Sequence, residues 1–264
     1  MPFPLYDAPQ GNAVRNAKTF FIGIFAGGFG GIVGLGGGIV MVPLLVMFLG
    51  MGQHKAHGTS LAALVFTGAS GAVAYWMAGA IDLMAAFLLA IPAVVTAGWG
   101  ARYANNLPEW RLKKYFGYLT LFVAALMLLK PYFPHSLYSA GYWIKGAELF
   151  ITGGFVGFLS GAMGVGGGGL MVPSMVLLVG MGQHTAQGSS LLAMVPAGIS
   201  GARTHGRLGN LAYDALWGLV PGVVVGSFAG GRLAAFLPDD MLRVAFAAAL
   251  VYTGAKYISA KPKS

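Results

Sequence analysis

The 264-residue sequence has no cysteine, and only 9% of its residues are charged. Without thiols there is no disulfide scaffold, no iron–sulfur centre and no cysteine nucleophile. Charged residues form about a quarter of an ordinary soluble domain, so this chain lacks most of a water-facing surface. Acids are the scarcest: Asp7, Asp82, Glu109, Glu148, Asp214, Asp239 and Asp240 are all there are. Each falls in a predicted loop or within about a turn or two of a predicted helix end. That leaves no buried carboxylate for a proton relay and no acid or His cluster for a divalent cation. No Walker A segment, nucleophile elbow or His-x-x-x-His pair is present. ATP-driven pumping, enzymatic catalysis, a bound metal and a cofactor are therefore not expected.

What the chain has in excess is apolar surface and glycine. It is 57% hydrophobic and carries 43 Gly, without a G-X-Y register. That composition excludes intrinsic disorder and implies a polytopic membrane protein built of apolar helices. The net charge is +9, from 16 basic residues against 7 acids. In a soluble protein this would suggest nucleic acid; here it fits basic cytoplasmic loops, so no nucleic-acid partner is expected. The first nineteen residues lack the pattern of a cleaved signal peptide.

The sequence repeats itself at an offset of 130. Gly36-Gly37-Gly38 with Met41-Val42-Pro43 returns as Gly166-Gly167-Gly168 with Met171-Val172-Pro173. Gly50-Met51-Gly52-Gln53-His54 returns as Gly180-Met181-Gly182-Gln183-His184, and Gly58-Thr59-Ser60-Leu61 as Gly188-Ser189-Ser190-Leu191. Between Gly36 and Ala72, 22 of 37 positions are identical at this offset. The chain thus divides into two homologous transmembrane halves, 16–130 and 143–258, with a linker over 131–142 inside one integral membrane domain.

Each half shows five apolar segments. They are predicted at 18–35, 38–50, 58–79, 83–104 and 111–130, then at 143–164, 168–180, 187–208, 211–236 and 239–258. The second of each is short, about 20 Å of helix against a hydrocarbon core of about 30 Å. A Gly run breaks the chain before it, so the first two segments read as a hairpin of broken or partly spanning helices. If that hairpin leaves on the side it entered, twelve basic residues lie inside; only Lys130, Lys145, Arg232 and Arg243 lie outside. The opposite parity gives nine against seven. The positive-inside rule selects the first, with both termini cytoplasmic and the halves inverted, as in many secondary transporters.

The helix breaks carry the strongest site signal. Irregular backbone at membrane depth survives only where protein buries it or a wet cavity meets it. A helix starting there aims free N–H groups and a positive dipole end at that cavity. Gly36, Gly37, Gly38, Gly166, Gly167 and Gly168 are candidate ligands for an anion, or alternatively only allow close helix packing. Thr59, Ser60, Ser189 and Ser190 are candidate donors to the anion, or N-caps of their own helices. Gln53, His54, Gln183 and His184 are placed in the adjoining short loops, lining the pathway or shaping the loop. His57 is matched by Gln187. Arg203 and His205, matched by Val73 and Tyr75, either anchor at the headgroups or draw an anion to an inner vestibule.

Gly34-Leu35-Gly36-Gly37-Gly38 with Pro43, then Ala56-His57-Gly58-Thr59-Ser60-Leu61, both repeated in the second half, resemble the TauE/SafE family of membrane permeases. The resemblance runs from about Thr19 to Ile258. It implies a bacterial inner-membrane transporter that exports sulfite or an organosulfonate such as sulfoacetate. The Gly-rich and Gly-Thr-Ser or Gly-Ser-Ser segments would lie near the substrate path. Import of another small sulfur compound, and a membrane scaffold that transports nothing, remain the alternatives. The expected partners are a small anion and membrane lipids, with a homo-oligomer possible in principle.

Overall fold

In the computed structural model, residues 12–104, 109–129, 142–163 and 166–259 are described, and every element among them is helical. The first half contributes α1 (Asn12–Val33), α2 (Gly38–Leu49), α3 (Gln53–Met77), α4 (Leu83–Ala104) and α5 (Glu109–Leu129). The second contributes α6 (Tyr142–Met163), α7 (Gly168–Ser174), α8 (Gln183–Arg207), α9 (Tyr213–Ala234) and α10 (Asp239–Ile258). A π-helical stretch, Met175–Val179, continues α7. The 131–141 part of the linker lies outside the described residues.

Among the described residues, six helices are long and apolar enough to cross a membrane: α1, α3, α4, α6, α9 and α10. Helix α8 has the length, but its Gln, Ser, Thr, His and Arg residues dilute the apolar run. Its position explains the tolerance, because Gln187, Ser189, Ser190 and His205 are all buried within the bundle. Phe21, Phe25, Phe87, Ile151, Trp217 and Phe236 point outward instead. Exposed residues of that size suit contact with lipid, which needs no polar cover.

The main packing partners come from opposite halves. Helix α1 lies along α9, and its equivalent α6 lies along α4. Helices α3 and α8 pack together, as do α5 and α10. The close approaches show the directions. Gly23, Gly27 and Gly31 of α1 meet Leu219, Val223 and Ser227 of α9 in register, so these two helices are parallel. Gly153, Gly157 and Gly161 of α6 meet Leu89, Ala93 and Ala97 of α4, the same contacts moved by 130. Gly68 of α3 faces Leu191 of α8, whereas Gly201 of α8 faces Leu61, so α3 and its own equivalent run antiparallel. The bundle therefore has a near end, where α1, α3 and α9 begin, and a far end, where α8 and α4 begin.

Glycine at every fourth position makes the α1–α9 and α4–α6 seams possible. Small residues let two backbones approach where lipid supplies no hydrophobic drive between helices. The backbone of one helix then fills the place a side chain would occupy.

Three predicted starts need correction: α1 begins at Asn12 rather than near residue 18, and the other two are those of α3 and α8. Helices α3 and α8 begin at Gln53 and Gln183, not near residues 58 and 187. Gly58 and Gly188 lie inside these helices. Their missing side chains leave room for the carbonyls of Asn210 and Ala80, so they serve packing rather than termination. Consequently Gln53, His54, Gln183 and His184 are first-turn helical residues, not loop residues.

Candidate functional site

The two Gly breaks meet. Gly34, Gly36 and Gly37 adopt left-handed backbone, with φ of 73°, 75° and 77°, and so does Gly166 at 82°. These turns end α1 and restart the chain as α2, and in the second half they introduce α7. A Cβ on Gly168 would stand 2.5 Å from Gly34 O and 2.8 Å from Leu35 Cα, so the breaks touch backbone to backbone. Gly36 and Gly166 both face Leu64 and Met194, which are equivalent residues 11 positions into α3 and α8. That is close to the middle of each 25-residue helix.

Helices α2 and α7 start at this meeting point. Their first backbone bonds run from Val40 and Met41 to Gly37 O, and from Leu170 and Met171 to Gly167 O. The N–H groups of Gly38, Ile39, Gly168 and Gly169 come before the first bonded donors, Val40 and Leu170, and have no acceptor within their own helices. No side chain caps either start. Two positive helix ends therefore come together beside the midpoints of α3 and α8. A void of about 10 Å³ adjoins the start of α7, lined by Ser160, Met163, Gly166 and Gly167 among others, all of the second half. It is room for about one water. Leu35, Leu64 and Met194 beside the two breaks are themselves buried.

The hydroxyls are spread to either side of this centre. Thr59 and Ser189 lie five residues, about 7.5 Å of helix rise, before Leu64 and Met194 on antiparallel helices. Thr59 Oγ1 accepts the N–H of Ala212 at 2.9 Å, and Ser189 Oγ accepts that of Asp82 at 2.8 Å. Each hydroxyl thus serves the start of the other half's fourth helix, not its own. Ser190 Oγ reaches Gly34 O only at 3.5 Å, a weak bond. Ser60 is fully buried. The two inter-half clamps give a direct prediction. Ser189→Ala leaves Asp82 N–H without its acceptor and is expected to cost about 1 kcal/mol. Ser189→Thr should keep the clamp. Thermal unfolding of the two variants in one detergent separates them.

Two polar locks close the ends; of their residues the sequence offers His205 as a candidate, but as a headgroup anchor or vestibule cation rather than a lock. At the far end, Tyr75 Oη lies 2.8 Å from Gln187 Oε1 and 3.1 Å from Gly31 O. At the near end, His205 Nε2 donates to Gly161 O at 3.1 Å. Tyr75 and His205 are repeat equivalents, as are Gly31 and Gly161, and Gln187 and His57. The same lock is therefore built twice with different chemistry. The Nε2 of Gln187 is fully buried and has no hydrogen-bond partner among the described residues. The repeat alignment was the available signal: these positions differ between halves yet remain polar or hydrogen-bonding.

The remaining candidates separate. His184 pairs with Asp239 and reaches Ala234 O at 3.1 Å, while Gln183 N–H donates to Asp239 Oδ2 at 3.1 Å. This tethers α8 to α10 at the far end. Gln53 and His54 open α3 at the near end. Arg203 projects outward from α8, whereas His205 turns inward. Among the described residues no group of three His, Cys, Asp or Glu could hold a metal ion.

Comparison with known proteins places this architecture. The model of one family, sulfite exporter TauE/SafE, matches residues 19–257. The chain belongs to the TauE/SafE family. Among its relatives is the probable membrane transporter protein YunE of Bacillus subtilis. It is 28% identical over 250 residues, covering 83% of this chain and 87% of the relative. YdhB of the same organism, also named a probable membrane transporter protein, is 25% identical over 86% of this chain and 91% of its own. A probable membrane transporter protein of Xylella fastidiosa is 29% identical over 78% of each. No solved structure matches. The chain is a membrane transporter of the TauE/SafE family.

Proposed function

We propose that this transporter exports a small sulfur-containing anion, such as sulfite or an organosulfonate like sulfoacetate, across the bacterial inner membrane. The convergence of two uncapped helix starts beside the midpoints of α3 and α8 carries this reading. N–H groups of Gly38 and Gly168 and the backbone of Gly36, Gly37, Gly166 and Gly167 would hold the anion. Ser60 and Ser190 would donate to it, with Thr59 and Ser189 behind them. The sulfur identity rests on the family, sulfite exporter TauE/SafE. A weak 3.5 Å contact leaves the Ser190 proton ready for a better acceptor.

The orientation follows from charge. Arg15, Lys18, Lys55, Arg102, Arg203 and Arg207 lie at the near end, and Lys145, Arg232 and Arg243 at the far end. Under the positive-inside rule the near end and both termini face the cytoplasm. Antiparallel α3 and α8 support reading the halves as an inverted repeat, which rocks to expose the site to each side in turn. With both locks closed and a void of about 10 Å³, this conformation is occluded. Opening outward breaks the Tyr75 lock; opening inward breaks the His205 lock. An inside-negative potential drives anion export by about 2.3 kcal/mol per charge per 100 mV, so export needs no proton relay.

The test is flux from proteoliposomes loaded with sulfite or sulfoacetate under an imposed potential. Efflux that grows with inside-negative potential is expected. No flux of either anion would end the proposal, and accumulation against that potential would make the protein an importer. A second measurement addresses a non-transporting scaffold. Ser160→Cys puts a single thiol beside the void in a cysteine-free chain. Labelling by a small water-soluble thiol reagent, slowed by substrate, is expected for a transport path. A thiol that stays inert under all conditions would favour the scaffold.

A further inference from the structure

Where α4 and α8 run together toward the near end, they leave an open groove of about 540 Å³. Arg102 from the last turn of α4 lines it with Arg203 and Arg207 of α8. All three arginines are exposed, and no acid among the described residues pairs with them. The hydroxyls in the groove are engaged elsewhere: Ser200 donates to Val94 O at 2.6 Å and Thr204 to Ser200 O at 3.1 Å. Guanidinium charge therefore defines the polar part of the groove. Its remaining wall is exposed and apolar, formed chiefly by Val95, Trp99 and Ile199.

The repeat supplies an internal control. The equivalent contact of α3 with α9 keeps the same hydroxyl bond, from Ser70 to Val224 O at 2.7 Å. There, however, Val73 and Met77 stand where the near-end groove has Arg203 and Arg207, and Phe228 replaces Gly98. Only Arg232 matches a basic residue, Arg102. Packing these helices does not require the arginines, since the same packing forms without two of them.

We propose that this groove binds the phosphate headgroup of an anionic phospholipid, with its acyl chains along Val95, Trp99 and Ile199. Guanidinium forks match phosphate oxygens in pairs. Basic clefts between membrane helices on the cytoplasmic side suit anionic headgroups, which are enriched in that leaflet. A free phosphate shares the headgroup chemistry but gains nothing from the apolar wall. Placement in the inner leaflet rests on the orientation given above; the binding itself does not depend on which anion is transported.

The experiment uses the whole chain in nanodiscs of phosphatidylcholine, with or without phosphatidylglycerol or cardiolipin. Anionic lipid is expected to raise the unfolding temperature by about 4 °C and to persist as adducts in native mass spectra. Arg102→Gln/Arg203→Gln/Arg207→Gln should lose that rise and hold anionic lipid at least about tenfold more weakly. An unchanged unfolding temperature in phosphatidylcholine shows that this variant folds; if it does not, Arg203→Gln/Arg207→Gln carries the same test. Arg232→Gln/Arg243→Gln, at the far end, should keep the full response. A neutralised groove that retains the lipid response overturns the proposal. So does inorganic phosphate reproducing the shift in phosphatidylcholine alone, which would mark a small-anion site.

Discussion

Gly161→Ala is expected to lower the unfolding temperature by about 10 °C. Gly161 lies where α6 presses on α4, and a methyl group there would overlap the backbone oxygen of Ala97 and stand 2.7 Å from its carbonyl carbon. The obstacle is main chain within a helix, so no side-chain rotation relieves it. The helices must separate along the whole Gly153–Gly157–Gly161 seam, and the His205 bond to Gly161 O goes with them. Overpacking of a tight contact costs about 1–3 kcal/mol, and backbone clashes lie at the upper end or beyond. A loss of about 3 kcal/mol corresponds to a fall of about 10 °C in unfolding temperature. Gly28→Ala is the control. It sits on α1 one position from the equivalent seam, with its nearest contact 3.6 Å away, and alanine is the better helix former. That variant should match or slightly exceed the parent in a thermal scan. A Gly161→Ala protein melting within about 2 °C of the parent would contradict the seam.

That contrast shows what the sequence made legible. The 130-residue repeat was plain from the Gly-rich and Gln-His motifs, and the five-segment pattern followed from apolar runs. The breaks at Gly36 and Gly166 were legible because a Gly triplet before a short Pro-containing helix has few other uses inside a membrane. Partner choice was not. Glycines spaced by four in α1 and α6 announce a close approach, but nothing in their spacing says that the partner is the other half's fourth helix. For the same reason the sequence offers Thr59 and Ser189 as donors to an anion or as caps of their own helices, whereas each serves a helix 153 or 107 residues away in the chain. The starts of α3 and α8 were misplaced because Gly58 and Gly188 look like breakers. Their glycine character answers to the neighbouring Asn210 and Ala80 carbonyls. The Tyr75 and His205 locks were hidden because their chemistry differs. Only the shared acceptor, Gly31 O or Gly161 O, reveals them as one device.

Transport should fail when the meeting of the two breaks is forced apart, even where the fold survives. Gly37→Ala faces two obstacles: left-handed backbone at φ 77° and a methyl group pressed on Ala26 O. Left-handed backbone alone costs a non-glycine residue about 1–2 kcal/mol. Gly168→Ala faces one, the Gly34 carbonyl of the opposite half at 2.5 Å. Relieving it moves one helix start away from the other by a sizeable fraction of an ångström. A site made of fixed N–H groups from both halves tolerates little of that, and misplacement on the scale of 1 Å costs about 100-fold in rate. Gly169→Ala is the matched control, because its nearest neighbour is a Leu250 methyl at 3.6 Å and its equivalent, Ile39, already carries a side chain. Sulfite flux from proteoliposomes should therefore fall about 100-fold for Gly37→Ala and Gly168→Ala and stay near the parent rate for Gly169→Ala. Unfolding temperatures measured alongside keep lost folding apart from lost transport. If a stably folded Gly168→Ala protein carried sulfite at the parent rate, the anion would have to cross elsewhere, and the converging starts of α2 and α7 would be packing alone.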